Sequence, residues 1–237
     1  MSDKGVLCMK ILVADTSSSV CAVALFENEI LISENMLDNG RTHSENFMPL
    51  VEKTLKDAKL ELKDIDIIGV VVGPGSFTGI RIGIASCKAM AEVMNIKMVS
   101  VTSLESLACN EIGEASVICS MIDARNNQVY CGIFDKDIIK KEDYIADDIS
   151  TVLEKLQKYD DIIFVGDASV LHREMIKNVL VNKKIRFSGK NKQNAHSLGI
   201  IVSRKAENGE FVSSDNIIPV YLRKSQAERM KNESTNS

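Results

Sequence analysis

Ile67-Ile68-Gly69-Val70-Val71-Val72-Gly73-Pro74-Gly75-Ser76-Phe77-Thr78-Gly79-Ile80-Arg81-Ile82-Gly83 is the stretch on which the fold turns. An apolar run of strand length leads into a glycine-rich turn and then into helical spacing. Gly75 and Gly79 permit backbone angles closed to other residues, and Pro74 fixes the entry to the turn. Ser76 or Thr78 supplies a hydroxyl to cap a helix that begins near Gly79. A strand, such a turn and a helix N-terminus can together hold an anion. The spacing is nevertheless not that of a P-loop, because Ile80 stands where lysine is required, and it is not a dinucleotide-binding opening. The loop reads as special, but not for phosphate.

The helix after this loop is apolar on two sides. Ile80, Ile84, Cys87, Ala91 and Met94 form one stripe and Ile82, Ala85, Ala89 and Val93 a second, with Arg81, Lys88 and Glu92 the only charges through residue 94. Such a helix is buried on more than one side. One side packs on the parent sheet, and the other takes either a second helix of the same chain or a partner subunit. Gly83, Ser86 and Ala89 would let that neighbour come close.

Upstream, Ile11–Asp15, Val20–Phe26 and Ile30–Asn35 read as three strands joined by two hairpins. Phe47, Leu50, Val51, Leu55 and Ala58 then recur at helical spacing, predicting an amphipathic helix over 43–60 that Pro49 kinks or starts. Downstream come a strand at 98–101, a helix opened by Thr102-Ser103-Leu104-Glu105, a strand Val117–Asp123, a turn Ala124–Asn127 and a strand 128–134. Strand, aspartate, turn, strand thus occurs twice, at Asp15 and at Asp123. A helix over 149–158, a strand 162–165 ending in Gly166-Asp167, helices over 170–180 and 196–207, and the closing run Ile218–Arg223 complete the pattern. The fold class is α/β, with two halves of similar plan: an N-terminal lobe over 9–104 and a C-terminal lobe over 105–223. The helix near 196–207 is left between them, with either lobe able to receive it. Residues 1–8 are expected to be an extension without structure and 224–237 a polar tail.

With 237 residues and 45% hydrophobic content, the chain can bury a large core. Its six cysteines stand singly, with no Cys-x-x-Cys pair, and read as reduced residues of a cytoplasmic protein, mostly in the core. No stretch reaches the roughly 18 apolar residues of a membrane span. A net charge of -4 argues against a protein that grips nucleic acid over its whole surface. Between Met175 and Ala206, however, eight basic residues (Lys177, Lys183, Lys184, Arg186, Lys190, Lys192, Arg204 and Lys205) occur without one acid. That run is either a solvated face or a contact for RNA phosphates.

The three histidines, His43, His172 and His196, are too far apart in sequence for a local metal motif, and no Gly-x-Ser-x-Gly elbow exists. No metal site and no hydrolase follow. Asp15 with Thr16, and Asp123, end strands beside polar turns, where nucleotide phosphotransferases hold magnesium and phosphate; Gly166 sits where a nucleotide site would want two glycines. Against that stands the commoner role of such aspartates, which is to bond the backbone of their own turn.

Four segments carry a resemblance: Ile11-Leu12-Val13-Ala14-Asp15-Thr16-Ser17, the Gly73–Gly83 loop, Met121-Ile122-Asp123-Ala124-Arg125 followed by Gln128-Val129-Tyr130, and Pro219-Val220-Tyr221-Leu222-Arg223. Over residues 9–230 the chain resembles the TsaB family, also called YeaZ. The resemblance implies the two-lobed fold of actin and sugar kinases, each lobe a mixed sheet flanked by helices. It also implies a non-catalytic subunit that binds and supports the catalytic subunit TsaD. The resulting assembly takes up the ATPase TsaE and makes threonylcarbamoyladenosine beside the anticodon of tRNAs reading codons that begin with A. Phe47, Val51, Leu55, Ile80, Arg81, Ile84, Cys87, Lys88 and Ala91 are expected to form the contact with TsaD, or with a second copy when TsaD is absent. Gly73, Gly75, Ser76, Thr78 and Gly79 are expected to be structural. Asp15, Thr16, Asp123 and Gly166 are candidates for a vestigial nucleotide site, and ATP or ADP is a candidate ligand at the boundary with TsaD.

Overall fold

The computed structural model describes residues 8–38, 42–113 and 117–223. The expectations for residues 1–7 and 224–237 lie outside them. In chain order the elements are β1 Lys10–Asp15, β2 Cys21–Glu27, β3 Ile30–Leu37, α1 His43–Asp57, β4 Ile67–Val71, α2 Phe77–Met94, β5 Lys97–Val101 and α3 Ser103–Ala108. There follow β6 Val117–Asp123, β7 Gln128–Phe134, β8 Ile145–Asp148, α4 Ile149–Leu156, β9 Asp161–Val165, α5 Asp167–Leu171, α6 Arg173–Val179, β10 Lys184–Phe187 and α7 Ala195–Glu207.

Two five-stranded sheets result, in the orders β3-β2-β1-β4-β5 and β8-β7-β6-β9-β10. In each, the first three strands in sequence are antiparallel neighbours and the last two run parallel to the first. The repeated strand-aspartate-turn unit is therefore the head of a repeated sheet. Both central strands are apolar almost throughout, because helices cover both faces of each sheet.

Three apolar layers hold the molecule together. Outside the first sheet, Leu12, Val23, Leu25, Ile68 and Val70 meet Phe47, Leu50 and Val51 of α1 and Ile80, Ile84, Cys87 and Ala91 of α2. Outside the second, Cys119, Met121 and Phe164 meet Val152, Leu153 and Leu156 of α4 and Ile176 of α6. Between the sheets lies the largest layer, filled by α3 and α7. The helix whose lobe the sequence left open, α7, packs on β1, β2 and β5 of the first sheet. Conversely α3 packs on β6 and β7 of the second. Each half ends in a helix that covers the other half's sheet.

The expected lobe boundary at 104/105 therefore requires correction. It falls inside α3, and residues 105–223 do not stay in one lobe. Beyond α7, Val212 bonds Met98, Ile217 enters the outer layer of the first lobe, and the Val220 N–H donates to the Val72 carbonyl at 2.7 Å. These apolar groups find their complementary surface on the first sheet.

Local chemistry explains the ends. Thr102 and Glu105 form a capping box: the Thr102 N–H donates to Glu105 Oε2 at 2.7 Å, and the Glu105 N–H donates to Thr102 Oγ1 at 3.1 Å. Pro49 sits inside α1 rather than starting it. The helix expected over 170–180 is broken into α5 and α6 at His172, which leaves helical geometry at φ -101, ψ 17.

Candidate functional site

The carboxyl ends of β1 and β6 face a cleft of about 850 Å³ between the lobes. One wall is hydroxyl-rich, with Ser17, Ser18, Ser19, Thr42, Ser44, Ser76 and Thr78. The other carries Asp123, Arg125, Tyr130 and Asp167, and Asp38 stands at the rim.

The glycine loop backs onto the first wall. A Cβ on Gly75 would collide with the Ser17 carbonyl, one on Gly79 with the Thr16 carbonyl and the His43 ring, and one on Gly83 with Thr16 Oγ1. The Thr16 hydroxyl donates to the Gly79 carbonyl at 2.8 Å, and the Ser76 N–H donates to the Ser17 carbonyl at 2.8 Å. Ser76 is the cap, its Oγ accepting the Gly79 N–H at 3.2 Å, so α2 starts at Phe77 rather than near Gly79. The glycines are present so that the turn after β1 can lie against the start of α2. The loop still reaches the cleft through Gly75, Ser76, Thr78 and Gly79.

Asp15 and Thr16 are each 2% exposed, and neither lines the cleft. Asp15 Oδ1 accepts the Ser17 N–H at 2.8 Å, while Oδ2 is buried with no partner among the described residues. Burial raises the Asp15 carboxyl above its ordinary range, against bonds from Ser17 and the nearby His43 that lower it. Asp123 makes the same turn, Oδ1 accepting the Arg125 N–H at 2.9 Å, but stays open to the cleft. Gly166 is buried at φ 107 against the Met121 carbonyl. The structure thus separates the four proposed nucleotide residues: Asp123 alone lines the cleft. Three carboxylates (Asp38, Asp123 and Asp167) against one guanidinium also disfavour a polyphosphate there. These residues do not fit a nucleotide held by this chain alone.

His43 reaches back from the first turn of α1, its Nε2 donating to the Ser18 carbonyl at 2.8 Å. Among the described residues, no group of three or more His, Cys, Asp or Glu could hold a metal ion, and no helix is long and apolar enough to cross a membrane. Cys21, Cys87, Cys109, Cys119 and Cys131 are buried. Burial pushes Cys21 and Cys109 up to about 11 and Cys87 to about 12, so these thiols stay protonated at neutral pH.

The outer helical face also differs from expectation. Phe47, Val51, Ile80, Ile84, Cys87 and Ala91 are spent on the chain's own core and offer no surface. Of the nine residues assigned to a contact, Leu55, Arg81 and Lys88 remain at least partly accessible. The accessible residues of α2 on this face are Thr78, Arg81, Ala85, Ala89, Glu92 and Val93, the last 83% exposed. Arg81 is held in place, Nε donating to the Tyr221 hydroxyl at 2.6 Å while the Tyr221 ring stacks on Phe77 at 4.7 Å. Two residues on, Arg223 donates to the Ala124 carbonyl at 2.9 Å, so the closing run straps the lobes together at the cleft.

The basic run is largely neutralised. Lys177 pairs with Glu174, Lys183 with Asp160, Lys184 and Arg186 with Asp161, Arg204 with Glu29 and Lys205 with Glu105. Lys184, then Arg186, holds the Asp161 carboxyl below its ordinary range. Acids outside the run supply the charge that it lacks, and of its eight basic residues Lys190 and Lys192 alone have no ion pair among the described residues.

Comparison with known proteins completes the picture. The family model described as TsaD, tRNA N6-adenosine threonylcarbamoyltransferase, matches residues 37–231. The tRNA threonylcarbamoyladenosine biosynthesis protein TsaB of Bacillus subtilis is 32% identical over 225 residues, 93% of this chain and 96% of the relative. YeaZ from Pseudomonas aeruginosa superposes at a TM-score of 0.75 with 24% identity, over 90% of this chain and all of the other. The activator of 2-hydroxyisocaproyl-CoA dehydratase from Clostridium difficile, solved with bound ADPNP, shares the two-lobed fold at a TM-score of 0.51 and 12% identity, over 85% of this chain and 97% of the other. With the two-lobed actin-like architecture and near full-length similarity to a TsaB protein, the chain belongs to the TsaB (YeaZ) family.

Proposed function

We propose that this chain serves tRNA threonylcarbamoyladenosine biosynthesis as a supporting subunit, not as the transferase. Its relatives' names supply the process, and the TsaD description of the matching family supplies the kind of partner. The observation that carries the supporting role is the outer face of α2. Once its buried side is spent on the core, a stripe of small and apolar residues remains in solvent, with Ala85 and Ala89 allowing close approach and Val93 giving an apolar contact. Arg81, Lys88 and Glu92 supply its charged groups. A TsaD-type subunit docks there, and a second copy takes its place when that subunit is absent. The complex, rather than this chain alone, engages TsaE, tRNA and any ATP or ADP.

The burial of Asp15 argues against the chain acting as a phosphotransferase in its own right. Ile84 is a poor probe of the contact, because a charge at a core position unfolds the protein. Val93→Asp and Ala89→Arg alter exposed positions only. Each is expected to weaken capture of the cognate TsaD-type subunit at least tenfold, about 1.4 kcal/mol, and to lower modification of tRNA in the reconstituted system, with thermal unfolding unchanged. Unaltered capture by both variants overturns the assignment of the face. Modification that proceeds equally well without this chain overturns the supporting role.

A further inference from the structure

We propose that the loop 188–194, between β10 and α7, meets RNA phosphates through Lys190 and Lys192. Of the eight basic residues in the run, these two alone have no ion pair among the described residues, and both are exposed. Their backbone is nevertheless fixed from beneath. Asn110, just after α3 and 8% exposed, donates from Nδ2 to the Lys190 carbonyl at 2.7 Å and to the Lys192 carbonyl at 3.2 Å. Its Oδ1 accepts Asn194 Nδ2 at 2.8 Å and the Ser197 hydroxyl at 2.5 Å. The Lys190 N–H donates to Ser188 Oγ at 2.7 Å. Asn191 ties the loop to the second sheet, Nδ2 donating to the Ser188 carbonyl at 2.7 Å and Oδ1 accepting the Gly166 N–H at 3.0 Å. Two unpaired charges thus ride on backbone that is already ordered, which lowers the entropic cost of a contact.

The composition of the loop selects the partner. Ser188-Gly189-Lys190-Asn191-Lys192-Gln193-Asn194 holds no apolar side chain. A protein partner is held by an apolar centre from which lysine is depleted, whereas lysine, asparagine and glutamine are ordinary donors to nucleic-acid phosphates. Two acids border the loop, and both are engaged: Glu111 Oε1 accepts the Ser188 hydroxyl at 2.5 Å, and Asp167 Oδ1 accepts the N–H groups of Asp123 and Ala168. In a chain of net charge -4, such a site supplies a local contact and not a general attraction. Gln193 lines the cleft between the lobes, as do Ser76, Thr78 and Gly79 at the start of α2. RNA brought by a subunit docked on α2 reaches the loop across that cleft. The inference rests on the supporting-subunit reading and adds to it the point at which this chain touches the substrate.

The test uses the complex of the full chain with its cognate TsaD-type subunit and a transcript of a tRNA reading a codon that begins with A. Binding is read by fluorescence anisotropy at salt concentrations from about 50 to 200 mM. Lys190→Gln with Lys192→Gln is expected to weaken binding about fivefold or more and to flatten the slope of log affinity against log salt by about 1.4–1.8, since each lost phosphate contact removes about 0.7–0.9. Lys177→Gln with Lys183→Gln removes two ion-paired lysines and is expected to leave the slope unchanged. Capture of the TsaD-type subunit should be the same for both pairs and the parent. Affinity and slope equal to the parent's in the variant at 190 and 192 overturn the proposal and leave the supporting role intact. An equal loss from the ion-paired lysines overturns it too, because RNA then senses charge at large. Weakened capture of the subunit by the variant at 190 and 192 makes these lysines a protein contact instead. Failure of the parent chain to form the complex overturns the supporting-subunit reading, and this inference with it.

Discussion

The two lobes share one strand order and an aspartate at the end of the first strand, yet they use the following turn in opposite ways. In the first lobe the turn is pressed against α2, and Asp15 is sealed inside. In the second the turn stands free, with Arg125, Asn126 and Asn127 all exposed at positive φ, and Asp123 faces the cleft. The partner helices differ to match. α2 has 18 residues and glycine at each point where the turn touches it, whereas α5 and α6 are two short pieces. A duplicated plan has been bent toward rigidity on one side and openness on the other. The rigid side also carries the face proposed for partner binding.

The hardest blow to this contrast would come from the glycines. Gly79→Ala places a methyl group against the Thr16 backbone and is expected to cost more than about 3 kcal/mol in urea unfolding. Gly189→Ala meets nothing within 4 Å and should stay within about 0.5 kcal/mol. A mild effect at Gly79 would mean that the turn is not clamped.

Next come the exchanged helices. Leu104→Ala in α3 and Leu198→Ala in α7 each empty part of the central layer and should cost about 2–5 kcal/mol. Because that layer belongs to both lobes, fluorescent probes placed in either lobe should report one coincident transition for each variant. Separate transitions would show lobes that stand independently.

The aspartates sharpen the comparison through pH. Asp15 has a folded pKa raised by burial, so the unfolded chain gives up this proton first. Asp15 thus favours folding below its unfolded pKa, near 3.8, and that contribution is lost as pH rises through the folded value. Asp15→Asn should flatten this fall and raise stability at neutral pH, while retaining an oxygen for the Ser17 N–H. Urea midpoints measured at successive pH values for the parent and Asp15→Asn check this.

The smallest effect is expected at the strap. Tyr221→Ala removes the stack on Phe77 and should cost about 1 kcal/mol, measured by thermal unfolding.

The repeated plan was legible because apolar strands ending in Asp15 and Asp123, and the cap at Thr102, are local signals. β8 and β10 were not. Ile145–Asp148 is half acidic, and Lys184–Phe187 alternates polar with apolar over only four residues inside a basic run, so neither stands out as a strand, and each exists because a neighbouring strand offers a ladder. Six of the nine residues expected at the contact are buried for a related reason. Periodicity reports that Ile80 and Ile84 are apolar, but their burial by α1 and the sheet is set by packing. The same limit hid the ion pairs of the basic run, whose acids lie up to 175 residues away, at Glu29.

The exchange of α3 and α7 also has a consequence for synthesis. As the chain leaves the ribosome, the first sheet is complete by Val101, but its inner face, with Ile11, Val13 and Phe26, has to wait for Leu198 and Val202. A nascent first half therefore carries a naked apolar wall for almost a hundred residues of translation. That interval is when a holdase chaperone would find it.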